Sequence, residues 1–302
     1  MRFLLTRALR GAGLVAAVAV LGFLMMEAAP GDFLTDLRSS PGIPTATVEQ
    51  MQRDSSLDRP VWSRLVSWIR SLLSGDLGVS LIWHRPVADL VWPRACNTAL
   101  LSLTGLSGAW LVGVPLAALS AARSGSWVSR AASLLVSALV ALPDLLVALL
   151  VLLTAVSTRW IPVSGSLAGA GFALALIALP AVYRHTYSSM RMAMGEPFVE
   201  SARAHGLPPV RVWTGHILPA AAGPLISLLG LSFSSLLSAS LLVEVVLGWP
   251  GLGPLLLEAV AARDQHVVLA GVVLSAGLLA AASLLIDLLL VLCDPRIRRD
   301  GL

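Results

Sequence analysis

The protein has 302 residues, of which 57% are apolar and only 13% are charged. Soluble domains carry about 25% charged residues on average. The 17 acidic and 21 basic side chains are too few to give a globule of this length a polar surface. The composition therefore excludes a soluble enzyme and indicates a polytopic membrane protein whose outer surface faces hydrocarbon. The formal net charge of +4 does not indicate nucleic acid as a partner.

Six stretches with at most one charged residue are long enough to cross a membrane. A hydrocarbon core of about 30 Å requires about 20 helical residues. The stretches are Gly11–Ala29, Asn97–Ala122, Ala131–Thr158, Trp160–Tyr183, Ile217–Val243 and Val267–Cys293. They predict an all-α membrane protein with six transmembrane helices. Because Glu27 and Pro30 do not fit a signal-peptide cleavage site, residues 1–29 are predicted to remain as a cytoplasmic N-terminus and helix one.

The arginines predict the orientation of these spans. They precede the first span, follow the last one, and recur in the connections 123–130 and 184–216, whereas the alternate short connections carry only Arg159 and Arg263. By the positive-inside rule both termini are predicted to be cytoplasmic, including the tail 294–302. The two cysteines, Cys96 and Cys293, then lie at opposite faces and cannot form a disulfide within one chain. Their spacing predicts no metal site.

The long connection 30–96 is predicted to be an extracytoplasmic region with structure of its own. The apolar positions 61, 62, 65, 66, 69, 72 and 73 follow a helical period, and Gly75-Asp76-Leu77-Gly78 ends the pattern. An amphipathic helix on the outer surface of the membrane is expected here.

A second short helix is predicted between spans four and five. Pro197 suits a first helical position, Glu196 and Glu200 favour the positive helix start, and Gly206 can adopt a left-handed cap before Pro208 and Pro209. A helix of this length is not stable alone, so it must dock on another element. From the residues alone, an ordinary interfacial helix is the alternative interpretation.

The same segment resembles the EAA motif of ABC-importer permeases. Glu200-Ser201-Ala202 is followed by Gly206 and then by Leu218-Pro219, in the order Glu-Ala-Ala, Gly and Ile-x-Leu-Pro of that motif. The chain departs from it in having Ser201 for Ala, a small-for-small change, and His216 for Ile. A histidine at the second place is expected of the peptide-transporter branch.

Further motifs extend the resemblance over nearly the whole chain. Together they resemble the B-type permease subunit of the dipeptide, oligopeptide and nickel ABC importers. The motifs are Pro30-Gly31-Asp32, Leu57-Asp58-Arg59-Pro60, Gly75-Asp76-Leu77-Gly78-Val79-Ser80, Arg85-Pro86-Val87, Trp249-Pro250-Gly251-Leu252-Gly253, Arg263-Asp264 and Asp294-Pro295-Arg296-Ile297-Arg298.

The resemblance implies a type I importer permease fold in a bacterial inner membrane. It also implies a second homologous permease subunit, two cytoplasmic ATPase subunits that bind ATP and Mg²⁺, and an extracytoplasmic substrate-binding protein. Residues 97–293 would hold helices two to six, and 197–206 would be a coupling helix seated on one ATPase through Glu200, Ser201, Ala202, Arg203 and Gly206. No catalytic residue and no cofactor are expected on this chain, which has no lysine for a phosphate-binding loop.

Asp144 lies halfway along the third predicted span. An ionised carboxylate is costly there unless it faces water or a partner, so it is a candidate for the translocation pathway. The alternative is a structural acid, protonated or paired with Ser133 or Ser137, and the sequence does not decide between the two. Glu27, Glu244 and Asp287 lie near span ends and are interpreted as structural.

Two other classes of membrane protein were weighed. A rhomboid-like protease needs a serine nucleophile and a membrane-embedded histidine, but the histidines fall in predicted loops or at span edges, away from Gly105-Leu106-Ser107. A secondary transporter is expected to have a second half that mirrors the first, and this chain has none. The sequence therefore predicts an importer permease for peptides or a related solute such as a nickel chelate, without deciding the cargo.

Overall fold

The computed structural model describes residues 2–28, 60–158 and 165–293. Within these ranges the chain is helical, and its only β-type pairing is an isolated antiparallel bridge between Val79 and Pro86. The helices are α1 Arg2–Ala28, α2 Val61–Leu73, α3 Val87–Ala122, α4 Trp127–Ala141, α5 Asp144–Thr158, α6 Leu167–Met194, α7 Pro197–Ala204, α8 Pro209–Val212, α9 Leu218–Leu247, α10 Leu252–Ala261 and α11 Gln265–Cys293. A π-helical turn, Trp213–Ile217, joins α8 to α9. The motifs at 30–32, 57–59 and 294–298, together with Arg159, lie outside the described residues.

Five segments of the described chain are long and apolar enough to cross a membrane, namely α1, α3, α6, the continuous α8–α9 segment and α11. Counting α4 and α5 together as one broken span gives six. The predicted all-α membrane architecture is therefore confirmed, and the exceptions concern where individual helices begin, end and bend.

The third predicted span is wrong as one continuous helix over Ala131–Thr158. α4 ends at Ala141, α5 begins at Asp144, and their axes make an angle of 108°. Leu142 is extended, with φ −91° and ψ 129°, because a residue before proline is disfavoured in the helical region and Pro143 has no N–H to continue the helix. Asp144 therefore lies at the corner of a sharp bend and not inside a straight span.

Two predicted span boundaries are also wrong. α3 begins at Val87, ten residues before Asn97, and α6 continues to Met194 instead of ending at Tyr183. Between Tyr183 and Gly195 the sequence contains no proline or glycine, so nothing stops the helix. Arg184, which was assigned to the cytoplasmic connection, thus lies about 15 Å along the axis from the end of α6.

The centre of the molecule is the packing of α3 on α6. Gly105 faces Leu174, and Gly113 faces Val182, so that the two backbones approach closely. Small residues at such positions are typical of membrane helix pairs, in which packing replaces the hydrophobic driving force. α9 lies against α6 and α11, and α1 packs on α11.

The helix predicted over 61–73 is present as α2, and it is docked on the bundle. Leu65 is buried between Phe23 of α1 and Leu269 of α11, and Arg64 forms an ion pair of 2.8 Å with Glu27. Glu27 therefore joins α1 to α2, in keeping with its structural interpretation. α2 also leaves large apolar side chains exposed, among them Trp62 and Leu73.

Candidate functional site

The segment resembling the EAA motif forms the short helix α7, as predicted. Pro197 opens the helix after an extended Glu196, and Glu200 lies in the first turn. Beyond the last residue, Ala204, Gly206 has φ +75°, and its N–H donates to the Arg203 carbonyl at 2.9 Å. The left-handed glycine predicted from the sequence is thus confirmed, and it turns the chain sharply toward α8.

One side of α7 packs against its own chain. Val199 and Ala202 are buried in a cluster with Ala193 of α6, Val212 of α8 and Ile217 of the π-helical turn. This contact meets the requirement that so short a helix must dock. Because the cluster includes the end of α6 and the segment leading into α9, α7 is held rigidly between two membrane-spanning elements.

The other side of α7 is exposed. Glu200, Ser201 and Arg203 all face away from the chain, and Phe198 is 44% exposed while it stacks on His216 with ring centroids 6.4 Å apart. Of the five residues predicted for the coupling site, Ala202 alone points inward. It therefore belongs to the seat of α7 and not to its free face.

Asp144 is the first residue of α5 and is exposed in this chain. It lines a cavity of about 590 Å³ between the α4–α5 bend and α6, together with Arg184, His185 and Ser188. Within the described residues no hydrogen bond joins Asp144 to Ser133 or Ser137, which face a neighbouring cavity. The serine-paired alternative for Asp144 therefore has no support in this geometry.

The cavity contains polar residues that the sequence analysis missed. Arg184 and His185 were placed in a loop, whereas both lie on α6 and face Asp144 across the cavity. The available signal was the unbroken helical sequence after Tyr183. A charged side chain inside a spanning helix is expensive unless it lines water or meets a partner, so these residues mark a functional region.

Buried polar contacts join the helices at the end of the molecule where α9 ends and α10 begins. Glu244 is fully buried at the end of α9 and accepts a hydrogen bond of 2.7 Å from the Gly253 N–H at the start of α10. A side chain at Gly251 would overlap the Glu244 carboxylate. Glu244 thus caps α10, which supports its structural interpretation and explains both glycines of the Trp249–Gly253 motif.

Asp264 makes a second such connection, between the α2–α3 segment and the α10–α11 turn. Its carboxylate accepts from the Ser80 hydroxyl at 2.6 Å and from the Leu81 N–H at 3.0 Å, and all of Asp264 is buried. Two motifs far apart in the sequence, ending at Ser80 and at Asp264, therefore meet in space. Asp287, which was also interpreted as structural, forms an ion pair of 3.4 Å with Arg7.

Comparison with known proteins decides the family. Residues 113–299 match the family of binding-protein-dependent transport system inner membrane components. The chain belongs to this family. It is 30% identical to the oligopeptide transport system permease protein AppB of Bacillus subtilis over 98% of both chains, and 30% identical to the dipeptide transport system permease protein DppB of Escherichia coli over 96% of this chain and 98% of that one.

Solved structures agree on the fold. The chain resembles the MetNI methionine ABC transporter in an inward-facing conformation, with a TM-score of 0.54, 18% identity and coverage of 66% of this chain and 94% of that one. An amino acid ABC transporter gives a TM-score of 0.53 at 21% identity, covering 69% and 94%. These similarities establish the type I importer permease fold.

The chain is therefore the transmembrane permease subunit of an ABC importer and not its ATPase. Among the described residues, no group of three or more His, Cys, Asp or Glu side chains could hold a metal ion. Charged side chains exposed among the described residues include those at the cavity beside Asp144 and those on the free face of α7.

Proposed function

We propose that this permease passes di- or oligopeptides from an extracytoplasmic binding protein into the cytoplasm, with a second homologous permease, two ATPases and both termini cytoplasmic. The assignment of a peptide cargo is based on the two peptide permeases that match the chain almost end to end. Asp144 lines the pathway. The domain division at residues 29, 96 and 293 follows the same topology, with its second boundary inside α3, which begins at Val87. The bacterial inner membrane is its location.

The observation that carries the mechanism is the two-sided character of α7. Val199 and Ala202 fix the helix to both neighbouring spans, while Glu200, Ser201 and Arg203 stay free. An ATPase groove that holds this free face can pull on α6 and α9 together when the two ATPases close on ATP and Mg²⁺. Rigid packing transmits such a displacement because a close-packed cluster does not compress.

Substitutions in α7 test this coupling in the complete transporter. Gly206→Val forces a branched side chain into a left-handed turn, at a local cost of about 1–2 kcal/mol. Glu200→Ala removes an exposed carboxylate that is free to bind the ATPase. In proteoliposomes containing all subunits, we expect each substitution to lower alanyl-alanine uptake and binding-protein-stimulated ATP hydrolysis roughly tenfold, the factor that corresponds to 1.4 kcal/mol.

The chain offers matched controls for both changes. Gly125 also has a positive φ, +87°, and like Gly206 has no atom within 4 Å of an added Cβ, so Gly125→Val introduces the same strain elsewhere. Glu258→Ala removes an exposed glutamate from α10. Both controls should transport normally. Assembly is checked by co-purification of all subunits, and fully assembled α7 variants with parental uptake would show that α7 is an ordinary interfacial helix.

A further inference from the structure

We propose that the cavity between the α4–α5 bend and α6 is a transit site for a zwitterionic solute, such as a short peptide with free termini. Asp144 binds the ammonium group and Arg184 binds the carboxylate. This inference rests on the proposed peptide transport and adds where, and by which groups, the permease itself contacts its cargo.

Charges of both signs face this cavity without neutralising each other. Asp144 and Arg184 both line it, yet the ion pairs within the described residues do not include one between these two side chains. Asp144, Arg184, His185 and Ser188 are all exposed in the isolated chain. Because lipid cannot solvate such a surface, it faces either a water-filled space or a partner subunit, and the proposal takes it to line the water-filled pathway. An anionic and a cationic group held apart across water match the two ends of a zwitterion.

A buried hydroxyl group without a partner points to a ligand beside Arg184. A neighbouring cavity of about 480 Å³ shares Val140 and Arg184 with the first and is also lined by Tyr183. Tyr183 is 4% exposed, and its hydroxyl group has no hydrogen-bond partner among the described residues. Buried hydroxyl groups are normally satisfied. The proposal therefore seats the carboxylate beside Arg184, which lines both cavities, and gives it the Tyr183 hydroxyl group of the second cavity as a further donor.

The remaining wall of the first cavity suits a site that reads only the termini. Apart from His185 and Ser188, it is formed by apolar side chains that include Leu139, Leu142 and Ile177, which contact a cargo without selecting among its side chains. The volume of about 590 Å³ lies within the range of about 300–1,000 Å³ that is typical of small-molecule sites.

The test pairs protein variants with ligand variants. Three radiolabelled peptides are compared: alanyl-alanine, N-acetyl-alanyl-alanine and alanyl-alanine amide. Their binding to the assembled transporter is measured in nanodiscs. Binding protein is left out, so that only peptide bound at the permease site is detected. The parental complex should bind each blocked peptide at least roughly tenfold more weakly than the free dipeptide, as expected for loss of a charged hydrogen bond. Asp144→Asn should abolish the discrimination against acetylation alone, and Arg184→Gln the discrimination against amidation alone.

Asp89→Asn and Arg191→Gln are the matched controls. Asp89, like Asp144, is an exposed acid in the first turn of a helix, and Arg191 is an exposed arginine on α6 outside the cavity. Both should keep the parental discrimination. Tyr183→Phe should weaken binding of the free dipeptide more than of its amide.

The outcomes separate this site from peptide transport itself. If the parental transporter, supplied with binding protein and ATP, takes up alanyl-alanine but the Asp144 and Arg184 variants keep parental discrimination between the peptides, the transit site is wrong and peptide transport stands. If the parental transporter takes up no peptide, the proposed function fails first. Variants that do not assemble are replaced by Asp144→Ser and Arg184→Met, which also remove the charge and should lose the same discrimination.

Discussion

Individual glycines decide how closely α3 can approach α6. A Cβ added at Gly105 would lie 2.5 Å from the Leu174 Cβ, a distance that real Cβ contacts essentially never show. Gly105→Ala should therefore push the helices apart and lower stability by about 1–3 kcal/mol, the usual effect of overpacking. Thermal unfolding of the purified transporter, followed by tryptophan fluorescence, should show a lower midpoint.

Gly277→Ala is the matched control for this prediction. Gly277 is also inside a long helix, α11, but nothing lies within 4 Å of an added Cβ. Alanine has the higher helix propensity, by about 1 kcal/mol, so this variant should be as stable as the parent or slightly more stable. Equal midpoints for the two alanine variants would contradict the close α3–α6 contact.

The conformation of residues that end a helix was predictable from the sequence, whereas the position of residues inside a long helix was not. Gly206 stands between a short helical pattern and two prolines, so its left-handed conformation followed from local chemistry. The local signals at Arg184 conflict, because the absence of proline and glycine before Gly195 favours a continuing helix, whereas a charge at the end of an apolar run is typical of a loop. Tertiary packing around α6 favours the continuing helix.

At the level of elements, the bend between α4 and α5 shapes the cavity around Asp144. Pro143 has no N–H to donate and keeps Leu142 extended. Pro143→Ala removes both restrictions, so a straighter helix becomes accessible and Asp144 moves away from Arg184. We expect a fall in peptide uptake together with a change in the geometry of the bend.

Spin labels at Trp127 and Val156, both exposed, measure this geometry by pulsed electron paramagnetic resonance. At 1.5 Å per residue, the 108° bend separates these Cα atoms by about 26 Å, against about 44 Å in a straight helix. Pro143→Ala should add a population at the longer distance. Pro115→Ala, in the continuous helix α3, should not. An unchanged distribution in Pro143→Ala would mean that packing of α5 on α6 alone sets the bend.

The number of spanning elements was predictable from apolar length, but their shape was not. A run of apolar residues over 131–158 satisfies the length criterion whether it is straight or bent. Pro143 signals a break, yet prolines 93, 115, 180 and 224 lie inside continuous helices. Neighbouring helices can satisfy the backbone around a proline, so the sequence around Pro143 does not distinguish a tolerated proline from a corner.

Across the whole molecule, α7 and the buried contacts around Trp249 lie at opposite ends of α9. α9 starts just after the cluster that seats α7 and ends at the turn where Trp249 donates a hydrogen bond of 3.2 Å to the Asn97 carbonyl. Its 30 residues span about 45 Å. Residues separated by more than 150 positions meet at the Trp249 end through Asn97, Thr98 and Asp264. One end is thus fixed by buried hydrogen bonds, and the other presents exposed charge.

This difference between the two ends of the molecule makes the topology testable. Two engineered cysteines are introduced into a chain whose native cysteines are replaced by serine. Native Cys96 is a poor reporter because it lies about 14 Å along α3 from Val87. Ser67, on the polar side of α2, and Ser201, on the free face of α7, are both exposed.

In intact spheroplasts, a membrane-impermeant maleimide should label Ser67→Cys. Ser201→Cys should react only after permeabilisation, and more slowly when the ATPases are co-expressed, because they cover α7. Permeabilised cells expressing the chain alone provide the control for reactivity of each site. Labelling of Ser201→Cys from outside would reverse the proposed orientation, and it would remove α7 from reach of any cytoplasmic ATPase.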